Sequence, residues 1–240
     1  MQQSKISILS TRPLDHSLIE EAKQSGIEVD ALSFIETEPI QSTAVQQEIA
    51  NALLQSSAVV FTSMNAVEAV ADVLHEQQPD WTIYCIGNTT KQLVKKYFGE
   101  KSIAGTANSA AELAGLIADK RYDDEVIFFC GDQRRDELPD ILRSNNIHVN
   151  ETVVYQTIAA PHKIEKTYHG ILFFSPSTVE SFFSNNKVVD QTILFAIGNT
   201  TATEIKKYTN NKIIIGEEPG KEKLLRQMIE YFGDVGCRIK

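Results

Sequence analysis

The strongest constraint on this chain is a pentapeptide that occurs twice. Ile86-Gly87-Asn88-Thr89-Thr90 returns 111 residues later as Ile197-Gly198-Asn199-Thr200-Thr201, and Lys95-Lys96-Tyr97 returns at the same offset as Lys206-Lys207-Tyr208. Upstream, Phe61, Ser63, Val67 and Glu68 stand opposite Phe173, Ser175, Val179 and Glu180 at an offset of 112, and downstream Gly105 and Leu113 stand opposite Gly216 and Leu224. A further block sets Gly26-Ile27-Glu28-Val29 against Asn146-Ile147-His148-Val149 and puts Thr37 opposite Thr157. Blocks that keep order and spacing over so long a period mark a duplicated unit of domain size, far longer than the roughly 20–50-residue period of solenoids.

Four apolar runs, at Ala58–Phe61, 83–86, 171–174 and 194–197, each lead through a polar turn into a helical pattern. Short apolar strands alternating with helices imply α/β domains with parallel sheets covered on both faces. Amphipathic patterns at 14–23 and 137–143 precede the Gly26 and Asn146 blocks. Capping-box spacing at Asn65-x-x-Glu68, Ser109-x-x-Glu112, Ser177-x-x-Glu180 and Thr201-x-x-Glu204 predicts helix starts at those residues. The repeated loops then lie at the carboxyl ends of strands, where open parallel sheets bind ligands.

A length of 240 residues suits two domains, and a 42% hydrophobic content is enough to give each a core. The net charge of −9 disfavours a nucleic-acid binder, which needs a basic field against phosphates. It leaves room for a small organic anion held by backbone amides at helix N-termini. Residues 1–12 carry no basic segment with an apolar core behind it, and no apolar run approaches the ~18 residues of a membrane span. Cys85, Cys130 and Cys237 are odd in number, dispersed and without a C-x-x-C, so neither a disulfide framework nor a zinc site is indicated. The expectation is a cytoplasmic protein with no membrane or nucleic-acid partner.

The chemistry-bearing motifs exclude more than they select. The five histidines show no metal-ligand spacing, so no metal is expected. Neither glycine loop has a P-loop lysine or a G-x-G-x-x-G, and no serine sits in a G-x-S-x-G elbow. What remains are groups suited to an anion at strand ends: Gly87 and Gly198 with Thr90, Thr200 and Thr201; the hydroxyls of Thr62, Ser63, Ser175 and Ser177; and the guanidinium groups of Arg12 and of the pair Arg134-Arg135. Each also has a plain reading as a capped turn or a solvated helix-end charge. From the residues alone, Tyr155 in Val153-Val154-Tyr155-Gln156-Thr157 is a strand packing residue with one hydroxyl to satisfy.

The order and spacing of seven blocks resemble the uroporphyrinogen-III synthase (HemD) family over nearly the whole chain. They are Ser10-Thr11-Arg12-Pro13; Val60-Phe61-Thr62-Ser63-x-Asn65-Ala66-Val67; Ile86-Gly87-x-x-Thr90; Gly131-Asp132 with Arg135-Asp136-x-Leu138; Val154-Tyr155-x-Thr157; Phe174-Ser175-Pro176-Ser177; and Ile197-Gly198-x-Thr200-Thr201. Met64 and Asn145-Asn146 depart from the family pattern, the latter replacing a helix-ending glycine with a residue that tolerates the same left-handed cap.

The resemblance implies two flavodoxin-like parallel-sheet domains joined by two extended linkers. Residues 1–35 plus 162–240 would form one domain and 39–155 the other, with linkers at 34–39 and 153–161. A simple tandem split near the midpoint is the competing arrangement, and periodicity does not separate the two.

The implied activity is cyclisation of hydroxymethylbilane to uroporphyrinogen III, with inversion of the terminal pyrrole ring and loss of water, by a monomer needing no cofactor. Tyr155 would assist the departing hydroxyl. Substrate carboxylates would meet Arg12, Thr62, Ser63, Gly87, Thr90, Arg135, Ser175, Ser177, Gly198, Thr200 and Thr201. An expectation of another class is a non-catalytic two-domain receptor closing around an organic anion.

Overall fold

A computed structural model of the chain describes residues 6–120, 125–218 and 220–238, the last five without their side chains. Residues 1–5, part of the segment read for a leader, and the Cys237 side chain lie outside that description. Along the chain run β1 (Ile6–Ser10), α1 (His16–Gln24), β2 (Ile27–Ala31), β3 (Ile35–Pro39), α2 (Thr43–Leu53), β4 (Ala58–Phe61) and α3 (Met64–Leu74). There follow β5 (Thr82–Ile86), α4 (Asn88–Phe98), β6 (Ile103–Ala107), α5 (Ala110–Ala118), β7 (Val126–Gly131), α6 (Glu137–Ser144) and β8 (Val149–Ala159). The remainder is β9 (Gly170–Phe173), α7 (Pro176–Phe183), β10 (Ile193–Ala196), α8 (Asn199–Ile205), β11 (Ile213–Ile215) and α9 (Lys221–Arg238).

Two compact units divide the chain: Met1–Glu36 with Ile158–Lys240, and Thr37–Thr157. The first, discontinuous unit holds a sheet ordered β11-β10-β9-β1-β2, parallel throughout. Numbered by its own succession of strands this is 2-1-3-4-5, the flavodoxin-like order. In the second unit β8-β7-β4-β5-β6 repeats that order in parallel, with β3 added beside β8.

The two sheets explain how one sequence repeat yields an interleaved fold. Counted along the chain, the strands run one to five and then one to five again. Each sheet takes its first two strands from one copy and its last three from the other. Strand β1 therefore pairs with β9, with Ser10 opposite Leu172, and not with the β4 that follows it in the same sequence copy. The chain passes between units inside β3 and β8, so the segments at 34–39 and 153–161 are strand over 35–39 and up to Ala159. Ile40 N–H donates to the Val154 carbonyl at 2.9 Å and Ala160 N–H to that of Phe34 at 2.9 Å, so these segments run antiparallel.

Equivalent positions do equivalent work in packing. Phe61 and Phe173 are fully buried at the ends of β4 and β9. Phe61 stacks on Phe98 and Phe129, and Phe173 meets Phe182 edge-on. Gly26 after α1 and Asn146 after α6 both adopt left-handed backbone, at φ 77° and 61°, so the asparagine does the glycine's task in turning the chain into the next strand.

The helix starts need one correction. Only Ser109 caps at the position that the spacing predicts: its hydroxyl accepts from Glu112 N–H at 3.2 Å while the Glu112 carboxylate accepts from Asn108 N–H at 3.0 Å. The caps of α3, α7 and α8 are Ser63, Ser175 and Gly198, which puts Asn65, Ser177 and Thr201 inside the first turn. The cause is local. The strands end at Phe61 and Phe173, and the hydroxyls of Ser63 and Ser175, two residues beyond, accept from the free amides of Ala66 and Thr178, both at 3.3 Å, while α8 starts at Gly198 with no side-chain cap.

Candidate functional site

In a flavodoxin-like order the loops diverge where the first and third strands lie side by side, and that crevice is where such sheets bind ligands. The first unit's crevice lies beyond β1 and β9, at Thr11-Arg12-Pro13 and Ser175. The second unit's lies beyond β7 and β4, at Gly131-Asp132 and Thr62-Ser63.

In the first unit, Thr11 ties β1 to β9: its N–H and hydroxyl both donate to the Leu172 carbonyl, at 3.1 and 2.8 Å. Ser10 hydroxyl donates to the Arg12 carbonyl at 2.6 Å, which fixes the arginine backbone. The guanidinium itself is half-buried, its Nε has no hydrogen-bond partner among the described residues, and burial lowers its pKa. Lys221, at the start of α9, donates to the Pro13 carbonyl at 3.4 Å. Its pKa is lowered by burial and then by the charge of Arg12, with Asp15 opposing. A half-buried arginine and an exposed lysine thus stand close together, the lysine lining a cleft of about 370 Å3 with Pro13, Asp15, Glu222 and Lys223.

The hydroxyls of this unit are less free. Ser175 accepts from Thr178 N–H and lies 2.9 Å from the Ser177 hydroxyl, so both are engaged in closing the first turn of α7. Thr201 is buried and Thr200 is exposed. Gly198 has an extended backbone that any residue adopts, and a Cβ there would meet nothing within 4 Å.

The second unit repeats the scaffold with other chemistry. Thr90 is buried and Ser63 caps α3. Unlike Gly198, Gly87 needs its lack of a side chain, since its φ is +80°. Arg134 is neutralised by Asp136 and Glu151, and the same Glu151 binds Arg143 at 2.5 Å. Arg135 stays exposed.

Tyr155 lies on β8 at a register shift against β7, where Cys130 faces Val153 and Gly131 then faces Tyr155. Val154 fills the core, and the Tyr155 ring packs half-buried on the same cluster. The Tyr155 carbonyl accepts from Asp132 N–H at 3.1 Å, while the Asp132 carboxylate accepts from Thr157 N–H at 2.9 Å. Both contacts tie Asp132 to the strand at Tyr155 and two residues beyond it. The ring lines a cleft of about 290 Å3 together with Glu38, Asn65, Glu68, Asp72 and Tyr97. No described protein group bonds the Tyr155 hydroxyl, which leaves it able to donate to a ligand. Three carboxylates make this cleft favour positive charge.

The expected site residues therefore fall into two sets. Arg12, Ser175, Ser177, Gly198, Thr200 and Thr201 belong to the first unit, and Thr62, Ser63, Gly87, Thr90, Arg135 and Tyr155 to the second. Sequence reasoning missed Lys221 and the acids of the Tyr155 cleft. Lys221 carries no motif; it reaches Pro13 only through the packing of α9. Glu38, Glu68 and Asp72 share a cleft only because β3 lies beside β8. Among the described residues no group of three or more His, Cys, Asp or Glu is arranged to hold a metal, and no helix is long and apolar enough to cross a membrane.

A doubled flavodoxin-like α/β protein, with interleaved units and a polar crevice at each sheet's carboxyl end, is the class that this fold defines. Residues 16–226 match the family described as uroporphyrinogen-III synthase HemD, and the chain belongs to that family. It is similar to the "Porphyrin biosynthesis protein HemD" of Ruminiclostridium josui, with 27% identity over 94% of this chain and 48% of that protein, so it spans about half the length of the curated relative. Its fold is that of the uroporphyrinogen-III synthetase of Helicobacter pylori, at a TM-score of 0.61 and 16% identity over 94% of this chain and 99% of the other. A mutant uroporphyrinogen-III synthase from the extremely thermophilic bacterium Thermus thermophilus gives a TM-score of 0.53 and 11% identity over 94% and 98%.

Proposed function

We propose that this chain cyclises hydroxymethylbilane to uroporphyrinogen III, inverting the terminal pyrrole ring and releasing water. The observation that carries this reading is the family match over residues 16–226. The chemistry of the two crevices supports it. Hydroxymethylbilane bears acetate and propionate groups, and its reacting end becomes cationic when the hydroxyl leaves. Arg12 and Lys221 suit the carboxylates, with Thr62, Ser63, Gly87, Thr90, Arg135, Ser175, Ser177, Gly198, Thr200 and Thr201 as further contacts through hydroxyls, amides or charge.

Tyr155 suits the reacting end. Its free hydroxyl donates to the departing hydroxyl as the carbon–oxygen bond breaks, and the nearby carboxylates favour the cation left behind. Ring closure then proceeds through a spiro intermediate that reverses the last ring. Because the substrate also cyclises unaided to the type I isomer, the protein's task is to position a reactive cation. A cavity of 290 Å3 sits at the lower edge of the roughly 300–1,000 Å3 that drug-sized ligands occupy, so it suits part of a tetrapyrrole.

This reading includes action as a cytoplasmic monomer without metal or organic cofactor. The test is isomer analysis: purified chain with hydroxymethylbilane, with and without chelator, yields the type III isomer in both. Formation of type I alone by folded protein rejects the enzyme and leaves the anion receptor, which would bind the tetrapyrrole without changing the isomer ratio.

A further inference from the structure

We propose that Gly131 is a positioning residue for Tyr155, its missing side chain being the seat on which the hydroxyl end of the ring rests. The proposal rests on the role given to Tyr155 above. A Cβ built on Gly131 would lie 2.4 Å from Cζ, 2.6 Å from Cε2 and 2.7 Å from the hydroxyl oxygen of Tyr155. These separations are far inside van der Waals contact, so the ring and any side chain at 131 cannot occupy their places together. The atoms displaced are those that carry the chemistry. Gly131 lies outside the left-handed region, so an alanine there is opposed only by what its Cβ meets.

The arrangement is specific to one unit. At the offset that takes Gly26 to Asn146, Gly131 and Tyr155 stand opposite Thr11 and Ile35. The first unit has a Cβ and an aliphatic side chain where the second has a glycine and a tyrosine. The register shift between Cys130 and Gly131 brings Tyr155 directly across from the glycine, and Asp132, the next residue, bonds the strand at Tyr155 and Thr157. A glycine kept only for the β7 turn would not require a ring above it.

A double-mutant cycle on hydroxymethylbilane turnover tests this. Because the clash falls on the free end of a rotatable side chain, Gly131→Ala moves the ring at little cost to folding. Its kcat is expected to fall about fivefold or more, with KM within about twofold, as for an interaction made only in the transition state. In a Tyr155→Phe background Gly131→Ala should cost little further rate, since the hydroxyl is already gone.

Gly105→Ala is the control. It sets a Cβ 2.8 Å from the ring of buried Tyr84, and should lower the unfolding midpoint while sparing kcat. An equal fold-loss from Gly131→Ala in the wild-type and Tyr155→Phe backgrounds overturns the proposal, as does wild-type kcat in Gly131→Ala. Wild-type kcat in Tyr155→Phe instead refutes the role of Tyr155 itself, and the two failures are thereby distinct. Should Gly131→Ala fail to fold, Gly131→Ala/Tyr155→Leu, which removes the ring, should restore folding; continued misfolding contradicts the seat.

Discussion

The two units share a strand order, equivalent aromatic anchors and equivalent helix caps, yet their carboxyl ends differ in charge. The first sets two cations together: half-buried Arg12, whose guanidinium Nε has no partner among the described residues, and exposed Lys221. In the second, Arg134 is consumed by Asp136 and Glu151, and three carboxylates line the cleft that Tyr155 also lines. Duplication preserved what the sheet needs to fold and released what the loops contact. Under the proposed function, the cations of the first unit are the holder of substrate carboxylates and the acidic cleft of the second is the reactor.

The largest expected effect concerns what the units share. Phe61→Ala and Phe173→Ala each remove a fully buried ring from equivalent strand ends, and each should cost about 3–5 kcal/mol in urea unfolding. Trp81, the only tryptophan, donates its indole N–H to the Ala52 carbonyl at 2.9 Å, so its fluorescence follows the second unit, while far-UV circular dichroism follows both. Costs that differ by more than a factor of two would break the equivalence of the cores.

Next comes the division of labour. Arg12→Gln removes a charge that no carboxylate among the described residues pairs with, and should raise KM by roughly tenfold or more, as expected for a charge-assisted hydrogen bond worth about 1.5–3 kcal/mol. The increase should shrink at high salt. Tyr155→Phe keeps the ring's packing and should lower kcat about tenfold, near 1.4 kcal/mol. Smaller effects belong to the threonines: Thr200→Val, on the exposed side of its turn, should weaken binding by about 1 kcal/mol, and buried Thr90→Val should act as much on stability as on binding. Steady-state kinetics beside thermal melts separates the two.

The smallest effect is a pH dependence that Asp30 gives the first unit and its counterpart cannot give the second. Asp30 accepts from Lys166 and from Tyr168, both at 2.8 Å, and these bonds hold its carboxyl below the usual range. A depressed carboxyl stabilises the fold above its unfolded pKa of about 3.9 and loses that contribution as pH falls through the lower folded value. The position 120 residues on is Asn150, which cannot titrate. Asp30→Asn should therefore cost a little stability at pH 6 and flatten the acid side of the profile. An unchanged profile would deny the first unit this asymmetry.

Much of the fold was legible because strand–loop–helix units leave periodic marks. The IGNTT loops, the Phe61 and Phe173 blocks and the Gly26 and Asn146 turns located strands and helices to within a residue or two. The interleaving was not legible in the repeat itself, since tandem and exchanged pairings have the same offsets; only the pairing of β1 with β9 decides between them. Three of the four capping positions were misplaced because capping-box spacing does not say which residue past a strand end starts the helix: a serine at α3 and α7, a glycine without any side-chain cap at α8. The candidate site was legible at strand ends, where Arg12, Ser63 and Ser175 follow from topology. It was illegible where contact depends on register, as for Tyr155 above Gly131, or on a distant helix, as for Lys221 beside Arg12.

The division between holder and reactor is tested most directly by single-turnover measurement of hydroxymethylbilane conversion in Arg12→Gln and Tyr155→Phe, side by side with wild type. A crossed result is expected: Arg12→Gln loses affinity and approaches the wild-type rate at saturation, while Tyr155→Phe keeps affinity and loses rate at every concentration. Equal losses of rate at saturation in both variants, with affinity unchanged, would contradict it.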